Sequence, residues 1–336
     1  MADQSTPLWM LSSSPHAHDG SSVRRLMGDV LIALIPAFVM SVVVFGFDAI
    51  RLVAVCVSAC LVAEAAARKV MGRNAAIQDL SAVVTGVLLA FNLPPQFPSW
   101  MAAIGSVFAI VIVKQIFGGI GYNIFNPALA ARVFLLVSFP VAMTTWTSSP
   151  AGALWAPDAV TGATPLGAWK SSWAAGAAPA GLFDQFPLAH LFLGRQSGSL
   201  GEGSEIALLL GGLYLLARRV IFWEIPVFFL GTVALLTAIL YGADAAHNLS
   251  PAYHFATGGL FLGAFFMATD LVTTPVSTRG QMIFGVGCGL LTVLIRRFGG
   301  YPEGVSFAIL IMNGFSPLID RLTVPRPFGH LNSQSA

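Results

Sequence analysis

Apolar residues in this chain gather in long runs, not at the alternating positions of a half-buried strand. Ten runs stand out, at about Leu26–Phe45, Ile50–Ala67, Ile77–Leu93, Trp100–Phe117, Ile124–Thr145, Ser204–Ala217, Val220–Tyr241, Phe255–Leu271, Met282–Ile295 and Val305–Ile319. Several approach the roughly 20 residues that an α-helix needs to cross a bilayer core. In lipid a segment must pair its own backbone groups, so the runs predict helices and not open strands. The sixth is short, and only Arg218–Arg219 divides it from the seventh. Pro36 and Pro226 lie inside runs and predict kinks. The expected fold is therefore an all-α integral membrane protein of about ten transmembrane helices.

Composition agrees. Of 336 residues, 56% are hydrophobic and 10% charged, against about 25% charged in soluble domains. A net charge of +2 without a basic run gives no reason to expect nucleic acid. Cys56, Cys60 and Cys288 form no CxxC pair, so a zinc or iron–sulfur site made by this chain alone is not expected. No Rossmann GxGxxG follows a strand. The first 20 residues lack a basic segment followed by an apolar one, so the first run is read as a retained helix and not a cleaved signal. His16 and His18 are too few for a metal site and suit docking or capping.

Positive charge sets the orientation. With the N-terminus inside, the inner segments hold Arg24, Arg25, Arg68, Lys69, Arg73, Lys114, Arg218, Arg219, Arg279, Arg321 and Arg326. The outer ones hold Arg51, Lys170, Arg195, Arg296 and Arg297, while Arg132 falls within a run. The inner excess predicts both ends in the cytoplasm and the long loop 146–203 outside.

Two stretches echo each other. "TGVLLAFNLPP" (85–95) and "KQIFGGIGYNIFNPALAARVF" (114–134) run parallel to "TGGLFLGAFFMATDLVTTP" (257–275) and "IRRFGGYPEGVSFAILIMN" (295–313). Each copy has a Thr-Gly opening, a Pro-terminated polar break, Phe-Gly-Gly and a further helix. Five spans separate the copies, and an odd number turns the second upside down. The expected organisation is a tail 1–25, a first five-helix repeat 26–145, the loop 146–203, a second repeat 204–322 and a tail 323–336. Carriers use such inverted repeats, with polar breaks facing each other near the midplane.

The candidate chemistry lies in "DAVTGATPL", where Asp158, Thr161, Gly162, Ala163 and Thr164 fit the pattern D-x-x-[S/T]-G-A-T. This string resembles the flavin-attachment site of the Rnf and Nqr respiratory complexes. "SPHAHDGSSVRRLM" (14–27), "NIFNPALAARV" (123–133), "GSLGEGSEIALLLGGLYLL" (198–216), "MATDLVTTPVSTRGQ" (267–281) and "YPEGVSFAILIMN" (301–313) resemble the NqrB/RnfD family. The likeness runs from about residue 14 to 322. A first span as early as Leu26 favours the Rnf member, because the Nqr member usually has a longer N-terminal extension. "TDLVTTP" stands where a "TDPVTSP"-like string is expected.

The resemblance implies membership of a bacterial inner-membrane complex that couples ferredoxin/NAD electron transfer to Na⁺ or H⁺ movement. It implies FMN joined through its phosphate to Thr164, on a flexible, exposed loop that a separate flavin transferase reaches. It also implies a second, non-covalent flavin, riboflavin, between the breaks. Implied partners are the A, B, C, E and G type subunits, the transferase and membrane lipid. NAD and iron–sulfur chemistry would belong to those partners. An Nqr-type protein and a flavin-free carrier on the same repeat are the alternatives.

Other polar residues stay open. Glu202 is either an acid in a capped first helical turn or a neighbour of flavin-binding N–H groups. Asp270, with Thr273 beside it, is either a functional intramembrane acid or a cap on the break. The equivalent break carries Asn92. Asp29, Glu64 and Arg132 suit internal pairing or partner contact, with a place on an ion path as the alternative.

Overall fold

The computed structural model describes residues 22–72, 79–148, 160–174, 186–194, 197–245, 247–301 and 303–324. Among these, helices dominate, and one antiparallel ladder of two-residue strands is present. Five helices are long and apolar enough to cross a membrane: α1 (Val23–Phe45), α2 (Phe47–Val70), α10 (Glu224–Ala243), α13 (Thr278–Phe298) and α14 (Val305–Leu322). Each leaves large apolar residues exposed. On α1, Ala33, Leu34 and Ala37 are buried, while Ile32, Ile35 and Val39 stay at least half exposed. A helix in water would not leave that outer face bare.

The remaining expected spans are shorter or broken. The α3 helix (Ser81–Phe91) has 11 residues. At 1.5 Å per residue it covers about 16 Å, roughly half the hydrocarbon thickness. The α4 helix (Ser99–Val107) continues as a π-helix, Phe108–Gln115. The fifth expected run splits at Phe139 into α5 (Pro127–Ser138) and α6 (Pro140–Thr144), because Pro140 lacks an N–H and restricts the residue before it. In α5, Pro127 sits at the first helical position and Asn126 caps Ala128 and Leu129 N–H.

After β1 (Thr147–Ser148) and β2 (Val160–Thr161) comes α7 (Pro165–Ala174), then α8 (Leu188–Phe192), a 3₁₀ turn (Leu200–Glu202) and α9 (Glu205–Ala217). The α11 helix (Pro251–Phe255) ends where the expected eighth span begins, and that span holds α12 (Leu260–Leu262), which runs on as a π-helix over Gly263–Met267. Arg219 takes a left-handed φ of 56° between α9 and α10, so Arg218–Arg219 does mark the junction. Pro226 does not kink α10: it is third from the start, where its missing N–H has no partner to lose. Pro36 is inside α1, and Pro317 is inside α14.

The helix pairs follow a pattern. The α1 helix packs on α9, and α5 on α14. The short helices α3 and α12 end against each other: Asn92 Nδ2 lies 3.6 Å from Met267 Sδ, and Asn126 Nδ2 donates to Met267 O at 3.3 Å. Outside this centre, α2 packs on α3 and α4, and α10 packs along α13.

Candidate functional site

The string around Thr164 is shaped from both sides. Thr161 pairs with Thr147 and Val160 with Ser148, and Gly162 N donates to Trp146 O at 3.1 Å. On the other side Pro165 starts α7, with its fixed φ suited to a first helical position. Thr164 stands just before it, and Thr164 Oγ1 accepts from Gly167 N at 3.1 Å. It therefore acts as an N-cap. A Cβ at Gly167 would lie 3.0 Å from that oxygen, so glycine lets the turn close on the hydroxyl.

The expected exposure of Thr164 is corrected here. The residue is only 5% exposed, because α7 folds back over it and its oxygen serves the helix start. Ala163 beside it is exposed, and Gly162 is half-buried. Asp158 lies outside the described residues, as do His16, His18 and the side chain of Thr161.

Thr164 lines a cavity of about 300 Å³ with Arg132, Trp146, Tyr301, Ser306 and Phe307. Arg132 holds its wall in place. It donates to Asn92 Oδ1 at 3.1 Å and Ser306 Oγ at 2.6 Å, and it pairs with Glu303. One side chain thus ties the first break, the start of α14 and the threonine cavity together. The α7 helix is clamped from outside: Lys170 Nζ donates to Tyr301 O at 3.1 Å and Arg296 O at 3.4 Å. Partial burial holds the Lys170 ammonium below its ordinary pKa. Arg297 stacks 4.3 Å over Trp173 of the same helix.

Asp270 and Thr273 come together, away from Thr164. Asp270 Oδ1 accepts from Val272 N at 3.4 Å and Oδ2 from Thr273 Oγ1 at 3.3 Å, so the acid caps the break. Asp270 also lines a second cavity of about 100 Å³, with Thr85, Lys114, Asn123, Asn126 and Thr269. Asn313 faces the same junction; its amide fits with the oxygen towards Asn126 N (3.1 Å) and the nitrogen towards Ile309 O (3.2 Å).

Glu202 is buried in the 3₁₀ turn and accepts from Ser199 Oγ at 3.0 Å. The cap of α9 is Ser204, which accepts from Ala207 N, and the first-turn acid is Glu205. The capped turn is real but begins two residues beyond Glu202.

Internal pairing accounts for Asp29 and Glu64. Asp29 accepts from Tyr214 Oη at 3.0 Å, with Arg218 3.5 Å away. Glu64, fully buried, takes Lys114 Nζ at 3.0 Å, Gln115 Nε2 at 2.9 Å and Arg68 Nη2 at 2.8 Å. Lys114 and Arg296, assigned above to the segments between spans, are core residues at 3% and 1% exposure. Arg296 donates to His254 O at 2.8 Å and Thr257 O at 2.9 Å. Each assignment drops one residue from a flank count, and the inner excess remains. A cation at the end of an apolar run has the same pattern whether it points out or in, so the sequence held no signal for this.

Residues 10–329 match the NQR2, RnfD, RnfE family. Over 321 residues the chain is 47% identical to the D-type subunit of the Na⁺-translocating ferredoxin:NAD⁺ oxidoreductase complex of Acetobacterium woodii, with 95% of each chain covered. It is 46% identical over 327 residues to the D-type subunit of the proton-translocating ferredoxin:NAD⁺ oxidoreductase complex of Clostridium ljungdahlii, with 96% of each covered. The D-type subunit of an ion-translocating oxidoreductase complex of Stutzerimonas stutzeri is 44% identical, covering 92% of this chain and 93% of its own. The match takes in both breaks, Thr164 and the cavity beside it, and the chain belongs to the NQR2, RnfD, RnfE family.

Proposed function

We propose that this chain is a membrane subunit of an ion-translocating Rnf-type complex, part of a redox-driven translocase that exchanges electrons between ferredoxin and NAD. Its own part is to carry electrons through FMN attached at Thr164. The observation that carries this is the position of the Thr164 hydroxyl. It closes the D-x-x-T-G-A-T string, opens α7 and lines a cavity shared with Arg132, Trp146, Tyr301 and Phe307.

The site suits the group in three ways. A phosphoester on Oγ1 leaves a lone pair for Gly167 N–H and puts negative charge at the start of a ten-residue helix. Trp146, Tyr301 and Phe307 offer apolar faces to a ring system, in a volume at the lower end of ordinary cofactor pockets. Arg132 brings a cation that Glu303 already balances. Bound FMN would supply the redox chemistry, and this chain's residues hold, orient and shield it. Because Thr164 is buried, a transferase must act before the first turn of α7 closes, or must open it.

The same reading extends to the architecture. The contacts of α1 with α9, of α5 with α14, and of the two breaks with each other are what a two-fold pseudo-axis between inverted five-helix repeats, 26–145 and 204–322, requires. The segment 146–203 between them is then extracytoplasmic, and the tails 1–25 and 323–336 are cytoplasmic, in a bacterial inner membrane. Non-covalent riboflavin would suit the junction of the breaks near Asp270, Asn123 and Asn126. The A, B, C, E and G type subunits and a flavin transferase are the expected partners. Relatives named for Na⁺ and for protons are equally similar, at 47% and 46% identity, so the proposal leaves the ion as either.

The test is flavin fluorescence of the denatured protein on a gel, after expression with its complex and transferase. Fluorescence is expected in the wild type and absent from Thr164→Val. A dark wild-type band, with the transferase active on another target, would overturn the attachment.

A further inference from the structure

Glu205 is a buried acid without a hydrogen-bond partner. It is the first residue of α9 and is 1% exposed, and neither carboxylate oxygen has a hydrogen-bond partner. Buried acids are almost always hydrogen-bonded or paired, so this one requires an account.

The surroundings supply it. The charged groups acting on Glu205 are Glu202 and Arg296. Both terminal nitrogens of Arg296 donate to the carbonyls of His254, Thr257 and Gly258, while its Nε is buried without a partner. Its charge reaches the two acids only through space. Glu202 has the Ser199 hydroxyl, and Arg132, the next cation, is paired with Glu303. Of the other elements on α9, α1 carries Asp29, paired with Arg218 at the far end of α9, and the π-bearing α12 carries no ionisable group. His190 on α8 is exposed. His254 lies 3.5 Å from Arg296 Nη1, where a protonated ring would set cation against cation. Arg132 also acts on Glu202 but is shared with Glu303, so two guanidiniums stand against three carboxyls, and one negative charge is in excess.

A metal ion does not suit the gap. No group of three or more His, Cys, Asp or Glu side chains gathers among the described residues. Alkali and alkaline-earth cations require a shell of several oxygens. A proton needs only the carboxyl itself.

We propose that Glu205 is a proton-binding site, its carboxyl holding the single proton that neutralises the buried Glu202–Glu205–Arg296 group. The inference does not depend on flavin at Thr164. Glu205 is then the member of the group able to give up a proton when another cation approaches, and to regain it when the cation leaves.

Infrared spectroscopy of the purified complex tests this. At neutral pH the wild type is expected to show a protonated-carboxyl C=O stretch that shifts in D₂O. The band should be lost in Glu205→Gln, and weakened or lost in Glu202→Gln, where Arg296 faces a single carboxylate. A spectrum in which Glu205→Gln removes no such band would overturn the proposal. If Glu205→Gln does not assemble, Glu205→Asp serves: the band should move with the shorter acid, and an unmoved band would assign it to another residue.

Discussion

At the scale of residues, Arg132 has the most to lose. Its guanidinium meets Asn92, Ser306 and Glu303 at once, and both partners of the ion pair are nearly buried, at 12% and 11% exposure. Arg132→Met leaves Glu303 without its cation, and breaking such a pair costs about 3–5 kcal/mol. A clear fall in the thermal unfolding midpoint of the detergent-solubilised protein is expected, with little recovery in Arg132→Lys, since an ammonium cannot span three separated acceptors. An unchanged midpoint in Arg132→Met would contradict this. Thr164 was legible in the sequence because its neighbours form a spaced string. Its burial was not, because the Gly167 N–H that claims its oxygen belongs to a helix whose fold-back depends on Lys170 and Trp173 meeting α13. Arg132 and Arg296 find partners about 40 residues away or further, and no local pattern records such pairings.

At the scale of elements, α2, α3 and the π-helix following α4 are joined by ions. Arg68 bridges Glu64 and Asp79, and Lys114 reaches Glu64 and Ser81. Burial alone would raise the Asp79 pKa, but hydrogen bonds from Ser81, the Lys114 charge and Arg68 outweigh it and hold it below the ordinary value. The sign follows from linkage. A depressed folded-state pKa stabilises fully above the unfolded value, and the contribution fades as pH falls through the folded one. Wild type should therefore exceed Asp79→Asn in unfolding midpoint at neutral pH, and the gap should close in acid below about pH 4, the ordinary carboxylate pKa. A gap that widens on acidification would contradict the pairing. Apolar runs gave α1, α2 and α10 nearly whole. They overstated α3 and the fifth run, because hydropathy does not register where a helix stops at Asn92 or restarts at Pro140.

At the scale of the whole molecule, the proposed spans together with the positive charges at their ends set which ends face which side. Cys56, Cys60 and Cys288 are buried and should resist polar thiol reagents. Single cysteines at the exposed positions Lys69 and Arg321 should react with an impermeant reagent only from the cytoplasmic face, and one at Ser171 only from outside. Labelling of Lys69→Cys and Ser171→Cys from the same face would rule out the topology. The paired strings behind the proposed repeat are visible in the sequence, whereas the meeting of the two breaks through Asn92, Asn126 and Met267 needed three dimensions.

The most direct test of the central claim is ferredoxin-dependent NAD reduction, with the accompanying ion uptake, by the complex in sealed vesicles carrying wild type or Thr164→Val. Losing the Thr164 cap costs only about 1 kcal/mol, so the variant complex should assemble. The expected result is an intact complex in which electron transfer and ion uptake are both lost. A Thr164→Val complex that transfers electrons and takes up ions at the wild-type rate would contradict the account.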